Sequence, residues 1–177
     1  MKLFRYLLYV LLIFTVNIAF SQNYFEASLL QKDSIAPDFE LITLDGDSIH
    51  LSDYKGKVVI LDFWYVGCRP CVKAYMDIKA LEEELGANKF VVLGMNPVTR
   101  IKKIKRYIKK GKYDDMVVIC SKEVKNNYKI KAYPTIYVID KQGKIVLATA
   151  GYYSNLKENL RKVILEESNK EGVRKFH

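Results

Sequence analysis

The chain has 177 residues, half of them hydrophobic, with 29 Lys and Arg against 20 Asp and Glu and a formal net charge of +9 at pH 7. This length fits one domain of roughly 100 to 200 residues with a real hydrophobic core. The positive charge would suit nucleic acid, but the first residues indicate export, and an exported protein rarely meets nucleic acid.

The first 21 residues have the order of a secretory signal peptide. Lys2 and Arg5 precede about fifteen mostly apolar residues, and small residues follow at Ala19 and Ser21. We expect cleavage after Ser21. The alternative is an uncleaved N-terminal membrane anchor, although the apolar run falls short of the roughly 20 residues that a spanning helix needs.

The bounds of the folded domain are predicted from hydrophobic patterning and charge, which are weaker signals than the signal-peptide pattern. Residues 22–34 are expected to form a flexible lead, 35–168 the folded domain, and 169–177 a frayed, charged tail. Within the domain, Phe39–Leu41 and Ser48–Leu51 flank turn residues, which predicts a hairpin.

The following run, Val58–Trp64, is apolar except for Asp62, as expected of a central strand buried on both faces. Apolar residues at steps of three and four then predict a helix that begins at or just after Cys68 and ends at Gly86.

Strands and helices continue to alternate along the chain. Further strands are predicted at Phe90–Met95, Met116–Cys120, Thr135–Asp140 and Lys144–Ala150, and further helices at Arg100–Gly111, Glu123–Tyr128 and after a cap at Ser154. The pattern predicts an α/β fold, with a central mixed β-sheet flanked by helices on both faces.

The helix within Arg100–Gly111 is strongly basic. Ile101, Ile104 and Ile108 recur at helical spacing, so the intervening Lys and Arg are expected to form its solvated face. The alternative is a patch that binds anionic lipid or an acidic partner.

Two cysteines stand at the predicted start of the first long helix, in the stretch FWYVGCRPC. A helix start offers free N–H groups and a positive dipole end, which lower the pKa of a cysteine there and favour Cys68 as nucleophile. Cys71, one turn on, is within reach for a disulfide. Pro70 suits a first helical turn, and Arg69 adds a cation that should make the disulfide more oxidising.

Residues 36–71 resemble the N-terminal part of exported thioredoxin-like thiol:disulfide oxidoreductases of the TlpA/ResA type, in the AhpC/TSA-Redoxin superfamily. Residues 132–145, AYPTIYVIDKQGKI, resemble the later strand hairpin of these proteins. The resemblance implies a thioredoxin fold with an added N-terminal β-hairpin. It also implies a cis Tyr133–Pro134 peptide bond, with Pro134 beside the cysteines. In the family, an extended segment of the substrate pairs with the backbone at this proline.

Asp62 departs from the usual pattern of this type, and Ala74 replaces a Glu that these proteins often carry. Burial in the central strand should raise the pKa of Asp62, which suits a group that accepts the Cys71 proton and returns it. The alternative is an Asp that only makes local hydrogen bonds.

The residues expected to contact a client surround the pair: Trp64, Arg69, Pro70, Tyr133 and Thr135. Gly67 replaces the Trp that usually precedes the first cysteine, which leaves the rim more open. Trp64 and Tyr65 are expected to supply apolar surface around the sulfur instead, and the alternative for Trp64, in the strand, is a place in the core. Cys120 is expected to be a buried thiol. No metal set and no cofactor beyond the Cys68–Cys71 disulfide are expected.

The predicted function is a periplasmic thiol:disulfide oxidoreductase, acting as a reductase on protein thiol or disulfide clients. Its turnover implies a membrane electron donor or acceptor. One alternative is a peroxiredoxin-like peroxidase, which would need a Thr and a Pro before the reactive cysteine where this chain has YVG. The other is a redox-inactive thioredoxin-like binding module in which the bridge is a static staple.

Overall fold

A computed structural model describes residues 4–5, 28–97, 100–111 and 116–170. The predicted signal peptide therefore falls almost wholly outside the described residues, as does the tail from residue 171. Within the described residues, none of the helices has both the length and the apolar character that crossing a bilayer requires.

The described chain alternates strands and helices as the sequence predicts. The strands are β1 (Glu40–Thr43), β2 (Ser48–His50), β3 (Val58–Phe63), β4 (Phe90–Asn96), β5 (Met116–Ile119), β6 (Thr135–Ile139) and β7 (Ile145–Ala150). The α-helices are α1 (Arg69–Leu85), α2 (Ile101–Lys109), α3 (Lys122–Asn127) and α4 (Leu156–Asn169), and a short 3-10 helix spans Leu51–Tyr54.

All seven strands form one mixed sheet in the order β2-β1-β5-β4-β3-β6-β7. β3, β4 and β5 run parallel, while β1 and β2 on one side and β6 and β7 on the other pair antiparallel. The predicted mixed sheet with an added N-terminal hairpin is confirmed, and the middle of the sheet is parallel.

The central strand β3 is buried along its whole length, and its side chains pack on both faces of the sheet. Because strand side chains alternate, Val58 and Ile60 pack under α1 and α4, while Leu61 and Phe63 pack with aromatic residues on the opposite face. Helices or loops thus cover both faces, as a near-continuous apolar strand requires.

Residues 28–34, which the sequence placed in a flexible lead, lie against the sheet. Leu29 is buried in the core, and the Leu30 N–H donates to the Tyr137 hydroxyl at 3.3 Å. The Asp33 N–H donates to the Ile145 carbonyl at 2.8 Å. The segment is too short to show a hydrophobic period, so its sequence alone does not predict that Leu29 is buried. That burial depends on the distant part of the sheet that Leu29 covers.

The last helix also differs from the expectation. Its N-cap is Asn155 rather than Ser154, with no side-chain capping bond, and the helix continues to Asn169, one residue past the predicted end of the folded domain. Glu167 is buried and pairs with Lys170. The Lys141 ammonium donates to the Ser168 carbonyl at 2.8 Å, which holds a helix end that its own charged sequence would not stabilise.

Candidate active site

The cysteine pair lies at the junction of the β3–α1 connection with α1, at the carboxyl edge of the parallel strands. Residues 64–68 make this connection, and Gly67 within it has a φ of +102°. That left-handed backbone suits glycine and strains residues with a Cβ. The glycine that replaces the usual Trp therefore meets a need of this connection's backbone.

Cys68 is the N-cap of α1. Its Sγ accepts the Cys71 N–H at 3.2 Å, and its carbonyl accepts the Val72 N–H at 3.2 Å. The sulfur thus takes the place that a Ser or Asp oxygen usually fills at a helix start, where N–H groups have no partner within the helix. Pro70 lies in the first turn, as predicted.

Cys68 and Cys71 form a disulfide, with their Cα atoms 5.2 Å apart. The predicted pairing is confirmed. Arg69 and Pro70 are exposed, whereas Cys68 shows 3% of its surface and Cys71 shows 1%. Both cysteines are therefore nearly enclosed, between exposed neighbours.

The loop before β6 faces this connection. The Tyr133–Pro134 peptide bond is cis, as the resemblance implied, and the buried Pro134 accepts the Gly151 N–H at its carbonyl over 2.7 Å. The Tyr65 and Tyr133 rings meet edge to face at 5.3 Å. This contact joins the loop to the cysteine connection, so the two motifs of the sequence form one site.

Two residues expected to contact a client are enclosed instead. Trp64 is 1% exposed and packs against Tyr107 of α2, with ring centroids 5.9 Å apart, in the same cluster as both cysteines. Thr135 is fully buried, and its hydroxyl donates to the Ala132 carbonyl at 2.8 Å. Both side chains support the site from below and offer a client no surface.

Tyr65 is the aromatic residue that the site does expose, with 38% of its surface accessible. The sequence offered Trp64 and Tyr65 together as apolar surface around the sulfur, with a place in the core as the alternative for Trp64, and of the two only Tyr65 is exposed. Period-two alternation, continued past the end of β3, places adjacent residues on opposite sides, so one of this pair had to face outward. The alternation could have identified Tyr65 only if the buried side had been known.

Asp62 is fully buried in β3, opposite Gly94 of β4 and Ile136 of β6. By alternation it lies on the face of Val58 and Ile60, the face that α1 covers. Its predicted burial is confirmed, and its predicted part in proton transfer stays a prediction.

Cys120 lies just after β5 and is 5% exposed. The predicted buried thiol is confirmed, and this burial raises the pKa of the Cys120 thiol to about 12. Among the described residues, no three His, Cys, Asp or Glu side chains gather in a way that could hold a metal ion.

Comparisons with known proteins agree with this geometry. The AhpC/TSA family matches residues 33–148. Over 119 residues the chain is 34% identical to the thioredoxin-like protein YneN of Bacillus subtilis, covering 66% of this chain and 69% of that protein. Over 167 residues it is 28% identical to the thiol-disulfide oxidoreductase ResA of Bacillus thuringiensis, covering 91% and 95%.

A solved structure has the same fold. The thioredoxin domain of a thiol-disulfide oxidoreductase from Bacteroides vulgatus superposes with a TM-score of 0.68 at 29% identity, covering 76% of this chain and 99% of that domain. The sheet and the helices are therefore arranged as in the thioredoxin fold.

Proposed function

The chain belongs to the AhpC/TSA family as a thiol:disulfide oxidoreductase of the TlpA/ResA type, and we propose that it acts as an exported reductase of protein disulfides. One observation carries the chemistry. The Cys68 sulfur caps α1 and receives the Cys71 N–H, so the helix start is arranged to hold negative charge on that sulfur.

In the first step, the reduced Cys68 thiolate attacks one sulfur of a client disulfide. A Cys68–client mixed disulfide forms, and the other client sulfur leaves as a thiolate that takes up a proton. The N–H groups at the start of α1 favour the attacking thiolate, and Arg69 next to it adds positive charge.

In the second step, Cys71 gives up its proton and its thiolate attacks the Cys68 sulfur. The Cys68–Cys71 disulfide closes, and the second client sulfur leaves as a thiolate, so the client gains two electrons and the enzyme loses two. We assign the proton to Asp62, because a fully buried carboxylate on the face beneath α1 is poorly solvated and readily takes one up.

A client would bind against the exposed residues that surround Cys68. Tyr65 offers an exposed ring, and the neighbouring Tyr133 and Pro134 supply the cis-proline backbone along which an extended client segment can pair. The exposed Arg69 and Pro70 form the opposite rim. In this assignment Trp64 and Thr135 act only through the residues that they support.

Export and a membrane electron donor complete the proposal. The basic, apolar and small-residue order of residues 1–21 supports cleavage after Ser21, and a disulfide persists where the surroundings are oxidising. In such surroundings a reductase needs electrons supplied across the membrane.

The equilibrium reduction potential of the Cys68–Cys71 couple, measured against dithiothreitol and glutathione, tests the direction of electron flow. We expect a value near the roughly −270 mV of thioredoxin. A value approaching roughly −120 mV would make the protein an oxidant and contradict the reductase assignment. A pair that neither buffer reduces would contradict disulfide exchange altogether.

A further inference from the structure

We propose that helix α2 is the docking surface for an acidic redox partner protein, which it holds beside Cys68 during disulfide exchange. The inference rests on the proposed function and specifies the partner's surface chemistry. Its support comes from the charge of α2, its position, and the direction in which its apolar side chains point.

The charge of α2 is of one sign. The helix contains no acidic residue, and its exposed cations, with those at its two ends, are Arg100, Lys102, Lys103, Lys105, Arg106, Lys109 and Lys110. Among the described residues, none of these seven forms an ion pair with an acid.

Helix α1 is different, because it carries residues of both signs and two of its four acids, Glu82 and Glu84, pair with cations. Glu82 pairs with Lys79 at 2.7 Å, and Glu84 lies 3.3 Å from Lys157 and also pairs with Arg161. An ordinary solvated helix face mixes the two signs in this way. The positive potential of α2 is thus left for a partner outside the described residues.

The position of α2 brings that potential to the active site. β3, β4 and β5 are parallel, so α1 and α2 both begin at the carboxyl edge of the sheet, where the cysteines lie. Ile104 of α2 is fully buried in the same cluster as Cys68 and Cys71, and Tyr107 stacks on Trp64. A partner bound along α2 therefore lies next to the reactive sulfur.

The apolar side chains of α2 argue for a protein rather than a bilayer. A helix that binds in a membrane interface turns a broad apolar face toward the lipid. Here Ile104, Tyr107 and Ile108 turn toward the protein core, and only Ile101, at 49% exposure, adds an apolar contact among the charges. Such a surface fits the charged, partly apolar contacts of a protein interface.

Docking through opposite charges changes the rate at which the two proteins associate. Opposite charges steer association and raise its rate by about 10- to 1000-fold at low ionic strength, and salt removes the effect. The chemistry of the sulfurs is untouched, so the reduction potential does not change.

The test uses the reduced mature protein and two disulfide-bonded peptides that differ only in carrying glutamates or lysines at the same positions. The measured quantity is the ratio of their second-order reduction rates at about 20 mM and about 500 mM salt. The variant Lys102→Gln/Lys103→Gln/Arg106→Gln removes charge from α2. A matched control, Lys55→Gln/Lys57→Gln/Lys144→Gln, removes the same charge from exposed lysines at the opposite edge of the sheet.

We expect the unaltered protein to reduce the acidic peptide about tenfold faster at low salt, with the preference lost at high salt. The α2 variant should lose most of the preference, and the control should keep it. Equal loss in both variants would mean that net charge alone is responsible, which overturns the proposal. So would a preference that is absent in the unaltered protein.

Two further measurements distinguish a failure of docking from a failure of disulfide exchange, and a protein partner from a membrane. Exchange of the unaltered protein with a small uncharged disulfide tests the proposed function on its own; if that rate is normal and the peptides are not distinguished, only the docking proposal fails. Binding to vesicles of anionic phospholipid that depends on the α2 cations, without discrimination between peptides, would overturn the proposal and assign the surface to the membrane.

Discussion

Cys68 and Cys120 are nearly equally hidden, with 3% and 5% of their surfaces exposed, yet their surroundings differ in kind. Cys68 stands at the start of α1, and its sulfur accepts the Cys71 N–H at 3.2 Å. Cys120 stands after β5 in an apolar cluster, where its thiol donates to the Ser121 carbonyl at 3.5 Å.

The difference shows that burial alone does not decide how a cysteine reacts. Around Cys120, the loss of water outweighs the backbone N–H and the charge of Lys125, so the neutral thiol is favoured and its pKa rises to about 12. Around Cys68, a helix start replaces the lost water with N–H groups that suit a charged sulfur. Whether nearby N–H groups and cations make up for the lost water separates a reactive thiol from an inert one.

The largest effect is expected when the sulfur of each cysteine is replaced by the oxygen of serine. With Cys68→Ser, client disulfides should be reduced no faster than in the uncatalysed reaction, because a neutral serine hydroxyl does not attack a disulfide at neutral pH. Cys120→Ser, the matched control, should keep the wild-type exchange rate. Loss of exchange in a Cys120→Ser protein that remains folded by circular dichroism would mean that the buried thiol takes part.

Asp62→Asn tests the proton transfer on which the Cys71 step depends. We expect the exchange rate near pH 7 to fall on the order of 100-fold, because an amide cannot accept the proton. The dependence of the rate on pH should change shape as well. Asp77→Asn, which alters another carboxyl on the α1 side, is the control, and an unchanged pH profile for Asp62→Asn would contradict the assignment.

Alkaline unfolding tests the environment of Cys120. Its pKa is about 12 in the folded protein against 9.0 ordinarily, so the stability due to the neutral thiol is complete below pH 9 and is lost as pH rises toward 12. In Cys120→Ala, the free energy of unfolding should fall less steeply over this range, by up to about 1.4 kcal/mol per pH unit.

Urea titrations of wild type and Cys120→Ala between pH 8 and 11 would measure this slope. Tyr137, whose pKa burial also raises to about 12, contributes equally to both proteins and cancels in the difference. Parallel pH profiles would show that Cys120 ionises as freely in the folded chain as in the unfolded one.

Arg69→Gln should have the smallest effect. Removing the cation next to Cys68 destabilises the thiolate and so makes the couple more reducing, but the side chain is exposed and screened, so we expect a shift of about 10 mV. Lys73→Gln, one helical turn farther on, serves as the control. A shift toward a more oxidising potential would contradict the expected sign.

Local features of the site could be predicted from the sequence. The position of Cys68 at a helix start follows from apolar spacing and Pro70, and the burial of Asp62 follows from the apolar run around it. The cis Tyr133–Pro134 bond came from resemblance alone, because trans is the more common form for a proline that opens a strand.

The errors concern contacts between distant parts of the chain. Trp64 is enclosed because Tyr107, far along the sequence, covers it. Leu29 joins the core because it reaches a sheet face that is complete only after β6 and β7 have formed. The residues next to Trp64 and Leu29 carry no sign of such distant partners, so periodicity could not place either one.

The most direct test of the contrast between the two thiols compares alkylation of the cysteines in the reduced protein at pH 7, with each site followed by mass spectrometry. We predict that Cys68 reacts with iodoacetamide at least about 100-fold faster than Cys120, and that the rates become similar in denaturing urea. Similar rates in the folded protein would contradict this prediction, because two almost equally buried sulfurs would then not be distinguished by the helix start.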